Sequence, residues 1–176
     1  MDKISNLTKQ TFFRLLNGDM SISDFEQWIY TSGDLLEQEL ESEIYLELVS
    51  FNYKQKDSLQ LLINKAKTLV NMDEFNIWRT SRLLTDIIEN NLDLVLATRK
   101  LRQLYFETGK NIIPETLGIG FESELDDLPI PSEYNQWESS ALQKTLEKAD
   151  QYKDEIVRDA KLLLHTLNKS NKDNWA

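Results

Sequence analysis

All three prolines of this chain, Pro114, Pro129 and Pro131, fall within one short segment, and the residues on either side repeat their apolar side chains at helical spacing. A proline inside a helix removes a backbone hydrogen bond and clashes with the preceding turn. Confining proline to one stretch therefore leaves the rest free to be helical. The expectation is an all-α fold: a single-domain bundle of about seven helices over residues 1–176, with a long irregular acidic loop at 110–137 and a frayed polar tail at 168–176. A chain of 176 residues can bury roughly two thirds of its unfolded surface in one core. With no Cys, disulfides and thiolate metal sites are excluded.

The periodicity places the elements. A helix around Leu7 to Leu16 stops at Asn17-Gly18, a C-cap signal. Ser23, three residues before Glu26, reads as a capping box that starts a helix carrying Phe25, Trp28 and Ile29. Ser32-Gly33-Asp34 punctuates the chain before Leu35, Leu36 and Leu40. In EIYLELVSFNYK the apolar residues from Ile44 to Tyr53 cover most of a helical wheel and leave Glu43, Glu47, Ser50 and Lys54 as a narrow polar seam. Such a helix is expected to be central and mostly buried. Leu59, Leu62, Ile63, Ala66, Leu69 and Val70 form the next stripe. Ile77, Trp78, Leu84, Ile87 and Ile88 mark a helix ending near Asn90-Asn91, and Leu94 to Tyr105 a further one stopped by Gly109. A long helix through Leu142, Leu146, Ala149, Ile156, Ala160, Leu163 and Leu167 closes the chain.

Charge is segregated. From Leu15 to Tyr53, 39 residues contain nine acids and no Lys or Arg; residues 54–110 hold ten bases against seven acids; residues 111–143 hold seven acids and no base. Solubility is served equally well by interspersed charges, so the blocks suggest a surface aimed at a cationic partner. Net charge −10 opposes binding to nucleic acid or anionic membrane. The opening MDKISNLTKQTFF lacks the apolar run of a signal peptide, and no run of about 18 apolar residues suits a membrane span. A cytoplasmic protein is expected.

The means for catalysis are sparse. One His and no Cys are present, and no G-x-S-x-G, Walker A or H-E-x-x-H motif. His165, near the end of the last helix, reads as a surface residue. Gly118-Ile119-Gly120 lacks the third glycine and preceding strand that a phosphate loop needs, and reads as a turn. Glu37 with Glu41, and Glu39, Glu43 and Glu47, stand four residues apart, but the E-x-x-H partners of a di-metal bundle are absent. Glu122, Glu124, Asp126 and Asp127 lack EF-hand spacing. No metal site, cofactor or catalytic residue is expected. Trp78, Arg79, Arg82, Arg99, Lys100 and Arg102 read as solvated helix faces with a core Trp rather than a nucleic-acid face.

The stretch NGDMSISDFEQWIYTSGDLLEQELESEIYLELVSFNYKQ combines a Gly-containing turn, S-x-x-F-E-x-W-x-Y at Ser23 to Tyr30 and E-x-Y-x-E-L-x-S-F-x-Y at Glu43 to Tyr53. It resembles small acidic immunity proteins encoded beside bacterial toxins, including contact-dependent growth-inhibition and colicin-type systems. LTDIIENN and ETLGIGFESEL are similar in the same sense. The resemblance implies a cytoplasmic protein that neutralises one cognate protein toxin by tight binding, and it carries no catalytic residues.

From charge alone, a cationic nuclease is a suitable toxin, since a phosphate-holding surface complements carboxylates. Two docking surfaces are expected. One is Glu37, Glu39 and Glu41 on the polar side of the Leu35, Leu36 and Leu40 stripe, more accessible than Glu43 and Glu47. The other is Glu122, Glu124, Asp126 and Asp127 in the loop, since loops on a rigid scaffold often carry recognition. The alternative is an acidic nucleic-acid mimic, or a regulatory protein-interaction module, that blocks a DNA-binding protein.

Overall fold

The computed structural model of the chain describes residues 4–173, with side chains to Lys169. It is all-α: 77% of the described residues are helical and none of them is in a strand. Among the described residues ten helical segments form rather than about seven, the π turn and α8 counted as one, because the segment expected to be an irregular loop folds into short helical pieces. By its contacts the chain divides into two compact units, Met1–Phe75 and Asn76–Ala176.

The first unit begins with α1 (Asn6–Leu16), capped by Ser5, whose side chain accepts from the Thr8 N–H. The helix ends as its Asn17-Gly18 signal requires. Gly18 takes φ +76°, and the Asp19 N–H reaches the Arg14 carbonyl at 2.9 Å. Helix α2 (Ile22–Thr31) is capped not by Ser23 but by Ser21, which accepts from the Asp24 N–H. The S-x-x-[DE] pattern occurs in two registers here, at Ser21 with Asp24 and at Ser23 with Glu26, and the earlier one adds a bond from Ser21 Oγ to the Asp24 carboxylate at 2.7 Å. α3 (Gly33–Glu39), α4 (Ser42–Val49) and α5 (Ser58–Leu69) follow. The core is aromatic: Phe12, Phe25 and Trp28 meet with ring centroids 5.4–5.8 Å apart, and Phe13 packs on Phe75.

Helix α4 is not the central buried element expected. It is eight residues long, and only Leu48 within it is buried. Ser50 Oγ turns back to the Leu46 carbonyl at 2.6 Å, and Phe51 leaves the helix. The wheel that encloses Phe51 and Tyr53 therefore never forms. Tyr53 is buried by another route, its hydroxyl donating to the Leu48 carbonyl at 2.7 Å. Helix α5 buries Leu62, Ala66 and Leu69 as its stripe requires, while Leu59 lies exposed.

Helix α6 (Met72–Ile88) spans the boundary between the units. The second unit continues with α7 (Leu94–Glu107), capped by Asp93, then a π turn (Thr116–Gly120) that runs straight into α8 (Phe121–Leu125). A 3-10 turn (Pro131–Gln136) and the 35-residue α9 (Ser139–Asp173) complete it. Ile113, Leu117, Leu125 and Leu128 are buried in one cluster with Leu101, Tyr105, Ile156 and Ala160, which is why the 110–137 segment is ordered. Gly118 is there for close approach. A Cβ at this position would stand 2.5 Å from ring atoms of Tyr105. Helix α9 continues past Leu167, where fraying was expected; residues 174–176 of that tail lie outside the described residues. Asp57, Asn90 and Lys110, each at a helix boundary, take φ of 65°, 57° and 66°.

Candidate protein-binding surfaces

The expected acids in the first unit fall at the junction of α3 and α4. Glu37 is exposed on α3; Leu40 and Glu41 then run extended, and Glu41 occupies the N-cap of α4 without a side-chain capping bond. Neither Glu37 nor Glu41 has an ion-pair partner among the described residues. Glu39 behaves differently from its neighbours. It is half-buried beside the start of α1, and its Oε2 is shut off from solvent without a hydrogen-bond partner. Burial pushes the Glu39 carboxyl up, but the Ser5 and Thr8 side chains and the Ser5 backbone together outweigh this and hold it below the usual range. The free N–H groups of a helix start favour such a charge. Glu39 is thus less accessible than its place on the polar side implies.

Glu43 and Glu47, expected in a secluded seam, are exposed. Glu47 pairs with Lys65; Glu43 has no ion pair among the described residues. Two apolar residues accompany these acids: Leu46 is 62% exposed and Tyr30 55% exposed, the Tyr30 hydroxyl approaching the Val49 carbonyl at the end of the same helix. Sequence reasoning misses both, since on a long buried helix Leu46 belongs to the core. Only the length of α4 reveals it.

The second acidic stretch is tied down within its own unit. Glu122 pairs with Arg102 Nε at 3.2 Å, Asp127 with Lys148 at 3.3 Å, and Glu124 accepts from the Tyr152 hydroxyl at 3.3 Å. Arg99 donates to the carbonyls of Leu128 at 2.8 Å and Asp126 at 3.3 Å, closing the turn after α8. Of the four acids expected to recognise a partner there, the Asp126 carboxylate alone makes none of these bonds, and it is exposed.

The second unit also holds a cavity of about 420 Å³ lined in part by Asp93, Tyr134, Asp150 and Lys153. Tyr134 donates to Asp93 at 2.8 Å, and the other Asp93 oxygen caps the Leu96 N–H at 3.0 Å. Burial, aided by this bond and by the Asp93 charge, leaves the Tyr134 phenol pushed up to about 12, far from the range where a group exchanges protons readily at neutral pH. The pair is built to hold the start of α7. His165 is exposed on α9. Among the described residues no three His, Cys, Asp or Glu side chains gather as metal ligands, and no helix is long and apolar enough to cross a membrane.

No protein-family model matches the chain, and neither a curated protein nor a solved structure matches it.

Proposed function

We propose that this protein binds and neutralises a cognate cationic protein toxin, docking it on the α3–α4 acids of the first unit. The observation that carries this reading is the combination of Glu37, Glu41 and Glu43, without ion pairs, and the exposed apolar side chains of Tyr30 and Leu46. Unpaired acids steer a cationic partner and select it, and a few desolvated apolar anchors set how long it stays. The resemblance of Ser23–Tyr30 and Glu43–Tyr53 to immunity proteins supports the same reading. The acids of 122–127 are secondary here, since three of the four are occupied within the unit.

The test is coexpression with the toxin domain encoded beside this gene. Protection of the host cell, together with a stoichiometric complex whose association slows as salt is added, is the expected result. A folded chain that neither protects nor forms a complex would overturn the reading.

A further inference from the structure

The cavity in the second unit, about 420 Å³, falls within the ~300–1,000 Å³ of small-molecule sites. Eight of its fourteen lining residues are apolar, Val95, Leu146 and Val157 among them. Six are polar: Asn90, Asn91, Asp93, Tyr134, Asp150 and Lys153. Most of these are engaged within the unit or stand in the open. Asp93 is matched by the Tyr134 hydroxyl and the Leu96 N–H, and the Asn91 amide donates to Glu89 at 3.0 Å. Asn90 and Asp150 are exposed. Lys153 is neither exposed nor matched.

Four of the described lysines are half-buried: Lys9, Lys65, Lys148 and Lys153. The first three each meet a carboxylate, of Glu74, Glu47 and Asp127 respectively. Lys153 has no ion pair or hydrogen bond among the described residues. Asp150, one turn earlier on α9, does not take it, although charges at that spacing can pair. A lysine that merely snorkels needs a wall beneath its stem and water at its head. Lys153 instead lines a space large enough for a guest, and the guest that matches it is an anion with an apolar body. Asp93 and Asp150 limit the charge of that guest. Beside two carboxylates, a doubly charged phosphate meets more repulsion than a singly charged carboxylate.

We propose that this cavity binds a small aliphatic or aromatic monocarboxylate, its apolar body against Val95, Leu146 and Val157 and its carboxylate paired with Lys153. Toxin binding plays no part in this chemistry, so the test uses the purified full chain alone. The labelled protein is titrated, by nuclear magnetic resonance, with hexanoate, hexanamide and hexylamine at millimolar concentration. The three share an alkyl chain and differ in the charge at its end. Saturable shifts at Val95, Leu146 and Lys153 with hexanoate are expected, with binding at least tenfold weaker for hexanamide and absent for hexylamine. Lys153→Met keeps an unbranched stem without the charge and should weaken hexanoate binding at least tenfold, whereas Lys153→Arg should retain it. No saturable response to hexanoate, equal responses to hexanoate and hexanamide, shifts spread as much over the exposed Lys144 and Lys161 as over the cavity, or an unchanged response in Lys153→Met would overturn the proposal. The comparison of the three probes on the wild-type chain decides the matter even where a variant fails to fold.

Discussion

Two base-free acidic stretches of this chain look alike in sequence and differ in the folded molecule. Residues 15–53 contain nine acids and residues 111–143 seven. In the second, Arg102, Lys148 and Tyr152 from α7 and α9 reach the acids of α8 and the turn after it, and Arg99 binds that turn's backbone. In the first, a single ion pair among the described residues, Glu47 with Lys65, crosses to the acids of α3 and α4. A charge run in sequence therefore measures how much charge a segment carries, not how much of it is free. The free part is decided by which helices pack beside the segment, and residues far away in the chain determine that.

The comparison can be broken most forcefully at the supports of the two stretches. Leu48 is the buried anchor of α4, so Leu48→Ala is expected to cost roughly 3 kcal/mol through the cavity it leaves, whereas Phe51→Ala, at a half-buried site, should cost less. Urea denaturation of both variants checks this, and equal losses would mean that α4 extends further than Val49. Next in size is Gly118→Ala, where the added Cβ meets the Tyr105 ring and should cost about 2–3 kcal/mol by overpacking. The contrast is Gly18→Ala, which meets no atom within 4 Å and should cost only the ~1–2 kcal/mol of a left-handed residue. Equal stabilities of wild type and Gly118→Ala would show that the second stretch is not anchored through Tyr105.

Smaller in energy but closer to function is charge reversal. Glu37→Lys with Glu41→Lys should slow association with the toxin at least tenfold, equivalent to about 1.4 kcal/mol. Asp126→Lys with Asp127→Lys should do less, since Asp127 is engaged with Lys148. Stopped-flow rates at two salt concentrations decide the order, and a larger effect in the loop would reverse the ranking of the surfaces.

Glu39 lies between the two regimes, and pH separates its roles. Its carboxyl is lowered in the folded protein, so its contribution to stability is present above the unfolded value, near 4.5, and is lost as pH falls through the folded one. Glu39→Gln should flatten the acid side of the stability profile. In the second unit Tyr134 has the opposite sign: its folded value of about 12 lies above 10, so its contribution is whole below pH 10 and disappears as pH rises towards 12. Tyr134→Phe should remove that alkaline loss. The smallest expected effect is none at all: His165→Ala, at an exposed position, should leave toxin neutralisation unchanged, and a loss with folding intact would demand a catalytic reading.

Much of the fold was legible because helical periodicity and end signals are local. Asn17-Gly18, the Leu62, Ala66 and Leu69 stripe, and the stop at Gly109 all stand where the pattern puts them. Periodicity failed where an apolar run outlasts its helix. Nothing in EIYLELVSFNYK distinguishes an eight-residue helix from an eleven-residue one, and the back-bond from Ser50 to Leu46 is a choice made in competition with water and neighbours. The 110–137 segment departs from its expected loop for a different reason. Its helical pieces are too short to repeat a stripe, and the pairing of Gly118 with Tyr105 joins residues thirteen apart that no local pattern connects. Of the candidate site, the acids were visible as composition; the exposure of Leu46 and Tyr30 and the seclusion of Glu39 arise only from packing.

Asp57, Asn90 and Lys110 in their left-handed conformations make the chain improvable by design. A side chain with a Cβ is held there at a cost of about 1–2 kcal/mol, less for Asn and Asp, whereas glycine adopts it freely. Lys110 is partly compensated, its ammonium lying 5.8 and 5.5 Å from the Tyr105 and Phe106 rings. Asp57 is exposed, and its side chain makes no bond to the helix it precedes. Replacing Asp57 with Gly is accordingly an engineering step that removes this cost, a way to raise the melting temperature for crystallisation or storage while leaving the α3–α4 acids as they are.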